Sequence, residues 1–120
     1  MALVEDDALV RGALRRSLTA KGYIVLEFGS AEDLLAAIDV DGNPPDLLVS
    51  DVRLPGKDGI SLAEEVVRRF PGLRVLLISG YLDDAQMRRV QRSPQFFFQQ
   101  KPFTGLGLTR KVAEILDSVA

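Results

Sequence analysis

Short apolar runs alternate with amphipathic stretches five times along this chain, and that alternation carries the expectation of its fold. The first run, residues 2–5, centres on Leu3-Val4. Residues 7–21 follow with Val10, Leu14 and Leu18 on one helical face, and Gly22 stands where a helix would end. A strand over residues 23–28 leads into Ser30-Ala31-Glu32-Asp33, a helix start with a hydroxyl cap and an acid three residues on. Leu34, Leu35 and Ile38 give this second helix its apolar face, and Asp41-Gly42-Asn43-Pro44-Pro45 breaks it.

The same alternation continues. A strand over 47–50 precedes a helix over 61–70, with Leu62, Ala63, Val66 and Phe70 inward and Glu64, Glu65, Arg68 and Arg69 outward. Pro71-Gly72 stops it. A strand over 74–78, a helix over 84–92, a strand over 96–100 and a helix over 106–119 complete the pattern. Pro94 ends the fourth helix or leads into the fifth strand, and Gly105-Leu106-Gly107 makes a poor helix start that is expected to fray. Strands 1, 3 and 4 are apolar runs rather than strict alternations, as parallel strands covered on both faces require. Alternating β and α elements with short links imply right-handed crossovers and a doubly wound α/β sheet, read as one domain over residues 1–120.

Composition narrows the function. With 120 residues, 47% of them hydrophobic and 27% charged, the chain has the makings of one soluble, cored domain. A net charge of −2 and a pI near 5.1 do not suggest direct nucleic-acid binding. The chain has no cysteine and no histidine, which excludes disulfides, thiolate metal sites and imidazole chemistry within it. No apolar stretch approaches membrane-spanning length, so membrane contact is not expected and a cytoplasmic location is.

The candidate chemistry lies at strand ends. Asp51 closes the run Leu47-Leu48-Val49 and meets a Pro/Gly loop at once; Asp6 and Asp7 follow Leu3-Val4; Lys101 follows Phe96-Phe97-Phe98. Taken singly, each has a plainer reading: helix-start acids, a loop acid, a solvated amine. In a flavodoxin-like five-stranded sheet of order 2-1-3-4-5, however, strands 1, 3, 4 and 5 bring their carboxyl ends to one crevice, which gathers Asp6, Asp7, Asp51, Ser79 and Lys101. Clustered carboxylates favour a cation, and hard oxygens suit Mg²⁺, with Mn²⁺ as a substitute. An ammonium and a hydroxyl beside them can hold phosphoryl oxygens.

The chain resembles the receiver domains of two-component response regulators over its whole length. The resemblance rests on Val4-Glu5-Asp6-Asp7, Ser50-Asp51-Val52-Arg53-Leu54-Pro55, Asp58-Gly59, Ile78-Ser79-Gly80-Tyr81 and Lys101-Pro102-Phe103. It implies that Asp51 is the phospho-acceptor, that Asp6, Asp7, Asp51 and the Arg53 carbonyl surround Mg²⁺, and that Lys101 contacts the phosphate. It also implies that Ser79 and Phe98 are the switch pair and that Pro55 and Gly59 shape the acceptor loop. Ser79 and Phe98 stand where the family more often has Thr and Tyr, and Ser93-Pro94-Gln95 replaces its usual Gly-Ala. The expected partner is a histidine kinase or a histidine phosphotransfer domain, since the chain has no His of its own. Ser79-Gly80-Tyr81 with Gln100-Lys101-Pro102-Phe103 is similar to receivers at the C-termini of hybrid sensor histidine kinases, so the chain is expected to be a module of a longer protein without its own output domain. A stand-alone regulator is the alternative.

Leu9, off the Val10-Leu14-Leu18 face, and Pro102, beside Lys101, are the expected docking residues for the donor. Arg88, Arg89 and Arg92 read as a solvated basic face. Two other functions compete. A pseudo-receiver scaffold would not need the retained acids and lysine, and an Asp-nucleophile phosphohydrolase would want a second Asp where Arg53 stands. A flavin phosphate would not suit the acidic loop after the first strand.

Overall fold

A computed structural model describes residues 1–117 as a five-stranded parallel sheet between two helical layers. In chain order the elements are β1 (Ala2–Val4), α1 (Ala8–Thr19), β2 (Leu26–Phe28), α2 (Ala31–Asp41), β3 (Leu47–Asp51), α3 (Gly59–Arg69), β4 (Arg74–Ser79), α4 (Asp84–Gln91), β5 (Phe96–Gln100) and α5 (Gly105–Asp117). The strand order is β2-β1-β3-β4-β5, all pairs parallel, as the alternation of elements predicts. Sheet parity sorts the core into two clusters. Ala2, Val4, Leu48, Val75 and Leu77 face α2, α3 and α4, while Leu3, Leu47, Val49, Leu76 and Ile78 face α1 and α5.

Local chemistry sets the helix ends. Asp7, Ser30, Asp58 and Asp83 are the N-caps of α1 to α4, each accepting from backbone N–H groups of its first turn. Asp83 and Gln86 close a full capping box, whereas Ser30 makes only the forward half of the one expected. The doubtful start of α5 is firmer than its glycines suggest: Thr104 Oγ1 accepts from Gly107 N–H at 2.9 Å, and the helix opens at Gly105. The expected end of that helix at Val119 lies outside the described residues.

β2 is shorter than the run over 23–28 suggests. A strand lasts only as long as its neighbour, and β1 offers three residues to pair. Arg89 also departs from a solvated reading: its Nη2 meets Glu64 Oε1 at 2.6 Å and Ser61 Oγ at 3.1 Å, tying α4 to α3. Among the described residues no helix is long and apolar enough to cross a membrane.

Candidate functional site

β3 is the central strand and is buried throughout, so Asp51 at its carboxyl end is held on a fixed floor with only 6% of its surface exposed. Its two oxygens have separate partners. Oδ1 accepts from the Arg53 N–H at 2.9 Å, and Oδ2 is 2.6 Å from the Lys101 ammonium. Lys101 is delivered by β5, and its own N–H donates to the Ser79 carbonyl at the end of β4. The loop leaving Asp51 turns under the site at Gly59. A Cβ there would lie 2.1 Å from the Asp51 carbonyl oxygen, so only glycine lets α3 start this close to the acceptor.

Glu5, Asp6, Asp7, Val10, Asp51, Arg53, Ser79, Gly80, Tyr81 and Lys101 line one crevice of about 480 Å³ at the carboxyl ends of β1, β3, β4 and β5. All of the expected acids, the lysine and the hydroxyl are therefore brought together. Asp6 and Asp7, the expected metal pair, both line the crevice, but Asp7 has a second task and a further acid joins them. Asp7 Oδ1 accepts from Leu9 N–H at 2.9 Å and from Val10 N–H at 3.1 Å, so this oxygen caps α1. The acid in contact with Asp51 is Glu5.

The register explains its place there. Val4 pairs with Ser50, so one further residue sets Glu5 beside Asp51, on the same side of the sheet as Leu3 and Val49. The signal was present in the sequence as matching parity, Leu3 to Glu5 and Val49 to Asp51. Glu5 is buried, and its carboxyl is pushed up to about 7 by that burial and by a hydrogen bond to Asp51, with the Asp51 charge adding to the rise. The Asp7 N–H, 3.1 Å from Glu5 Oε1, and the Lys101 charge pull the other way. A buried, protonation-prone Glu5 beside a second carboxylate is an arrangement whose proton a cation would replace.

Ser79 Oγ faces its own loop: it donates to the Tyr81 carbonyl at 2.8 Å and accepts from the Tyr81 N–H at 3.2 Å. Phe98 lies outside the crevice, half-buried among the α3 and α4 side of the core with Leu82. Leu9 is 86% exposed beside the crevice, and Pro102, across a cis peptide bond from Lys101, is exposed as well. Besides Glu5, the crevice-lining Tyr81 is a feature that its motif alone did not single out for a role.

The sequence profile of the response regulator receiver domain matches residues 1–113. The sensor kinase CckA of Brucella abortus is 36% identical over 96% of this chain, and the DNA-binding transcriptional regulator NtrC of Klebsiella pneumoniae is 35% identical over 84% of it. The chain spans 12% of the first and 21% of the second. Among solved structures, the receiver domain of the hybrid histidine kinase CckA superposes with a TM-score of 0.80 at 31% identity, covering 97% of both chains. The receiver domain of NtrX from Brucella abortus gives 0.84 at 26% identity over 98% of both. With all five strands inside the matched residues and the same fold in these relatives, the chain belongs to the family of response regulator receiver domains.

Proposed function

We propose that this domain accepts a phosphoryl group on Asp51 from a phosphohistidine of a histidine kinase or histidine phosphotransfer domain, and that the aspartyl phosphate changes which conformation the domain favours. The observation that carries this reading is the Asp51 carboxylate at the foot of an open crevice, 2.6 Å from the Lys101 ammonium and beside a second buried acid. A carboxylate oxygen attacks phosphorus as the donor N–P bond breaks and the imidazole leaves with the bonding pair. Positioning and neutralised charge govern such a transfer, and no strong base is required.

The oxygen-only donor set fits Mg²⁺, which Glu5, Asp6, Asp51 and the Arg53 carbonyl would hold together with water. Among the described residues no group of three or more acidic side chains stands arranged around a metal position, so water would have to complete the ion's shell. When bound, the ion supplies positive charge against the carboxylates and the incoming phosphoryl oxygens. Lys101 needs only to pass from Asp51 Oδ2 to a phosphoryl oxygen attached to the same carboxylate. Ser79 Oγ gives up the Tyr81 carbonyl to donate to another, which frees the loop after β4. That exchange is a contact made in one state only, which a population shift requires. Phe98, packed against the same core cluster as that loop's Leu82, is the side chain proposed to follow.

We propose a hybrid-kinase parent with this domain on the cytoplasmic side, a reading supported by the likeness to the CckA sensor kinase, although DNA-binding regulators match about as well. Treatment with acetyl phosphate and intact mass measurement tests the chemistry. Wild type gains one phosphoryl group in Mg²⁺ and none in chelator, and Asp51→Asn gains none; equal labelling of Asp51→Asn would refute the acceptor.

A further inference from the structure

We infer that Arg11 is a positioning residue for the crevice acids: its guanidinium fixes the Glu5–Asp6 peptide and so the spacing of both carboxylates beside Asp51. The inference rests on the reading that those acids hold Mg²⁺.

Two contacts hold the Arg11 side chain, and a glycine makes room for it. Its Nη1 donates to the Glu5 carbonyl oxygen at 2.8 Å. Its Nε faces Glu27 Oε1 on β2 at 3.6 Å, and the side chain is only 24% exposed. Its Nη1 also passes 3.4 Å from the place a Cβ would take on Gly29, so a bare backbone there leaves it room. The Glu5 N–H is already tied to the Phe28 carbonyl at 3.1 Å, the last rung between β1 and β2. Arg11 therefore closes the other side of the same residue, at the carbonyl where the ladder stops.

The consequence is geometric. The Glu5 carbonyl belongs to the peptide unit that carries the Asp6 N–H and Cα, so fixing one atom of that plane sets where Asp6 departs from the strand. Glu5 reaches Asp51 from the preceding Cα. Without Arg11, the peptide can rotate and the two acids lose their common geometry. A guanidinium suits this duty because its planar fork holds a carbonyl and a carboxylate in fixed directions, whereas an ammonium on a flexible stem sets no such geometry. Arg15 supplies the control, since its Nε also binds Glu27, at 3.1 Å, on the same helix and near the same surface.

Mg²⁺ titration of the metal-free domain, followed by calorimetry, tests the assignment, with folding checked by circular dichroism. Wild type binds Mg²⁺; Arg11→Ala binds about tenfold more weakly, the size of loss expected when a group that orients a metal ligand is removed. Arg15→Ala binds as wild type does. Arg11→Lys keeps the charge and most of the packing but not the fork, and it falls between wild type and Arg11→Ala. Wild-type affinity in Arg11→Lys together with a tenfold loss in Arg15→Ala would show that surface charge and not peptide geometry is at work, and would overturn the inference. So would unchanged affinity in a folded Arg11→Ala. If Arg11→Ala does not fold, Arg11→Lys decides alone, and wild-type affinity in it overturns the inference. A wild type that binds no Mg²⁺ would refute the metal reading itself, an outcome separate from all of these.

Discussion

Glu5 is a buried acid whose proton competes with everything the crevice is proposed to bind. Its folded pKa of about 7 stands above its ordinary 4.5, so the native state holds this proton more tightly than the unfolded chain does. The stability that follows is fully present below 4.5 and is lost as pH rises through about 7. Urea titrations of the metal-free domain should therefore show stability falling across that window, with Glu5→Gln flattening the fall. Mg²⁺ affinity should rise over the same range, because the ion must displace the proton. A pH slope retained in Glu5→Gln would place the titration elsewhere. Two residues on, Asp7 gives the opposite expectation. As the cap of α1 it is structural, so Asp7→Ala should cost about 1 kcal/mol in denaturant unfolding, while Asp7→Asn, still a good cap, should cost little. Neither should weaken Mg²⁺ binding to the extent expected of Asp51→Asn.

At the scale of elements, the acceptor depends on how α3 leaves β3. Gly59 N–H donates to the Val52 carbonyl at 2.9 Å, and the missing side chain is what lets the helix start against the Asp51 backbone. Gly59→Ala should push the helix from the strand end, costing about 1–3 kcal/mol of stability and slowing acetyl phosphate labelling of Asp51. Thermal melts and the labelling rate measure the two together; normal labelling with normal stability would mean that the loop gives way freely. Elements of this kind were largely legible in the sequence because burial dictates period. The apolar runs of β3 and β4 and the helical spacing of α3 could hardly pack otherwise. What was not legible depended on pairing: β2 is cut to Leu26–Phe28 by the length of β1, and Glu5 belongs to the site through its register with β3. Asp6-Asp7 stood out because both follow an apolar run, yet Glu5 is the acid set against Asp51, and Asp7 also caps α1. Arg89 was read as solvated because its partners, Glu64 and Ser61, lie on another helix.

For the whole molecule, the proposed phosphohistidine donor has to reach the site from beyond these 120 residues, which hold no histidine. Leu9 is exposed at the crevice rim, next to the cap of α1, and Pro102 at the start of the loop beyond β5. Leu9→Asp should slow transfer from a cognate phosphohistidine protein by about tenfold or more while leaving acetyl phosphate labelling unchanged, as loss of one central anchor does in other interfaces. Equal slowing with both donors would move the docking face elsewhere. The position of the two strands that share the site has a further consequence. β3 is buried at every residue and paired on both sides, whereas β5 closes the sheet and is only half-buried from Phe96 to Gln99. Asp51 thus stands on a fulcrum and Lys101 on a lever. On the proposed reading, a bond formed at Asp51 would leave the anchored strand in place, and the half-buried edge strand, paired on one side only, would be the one to yield, past Phe98 toward α4.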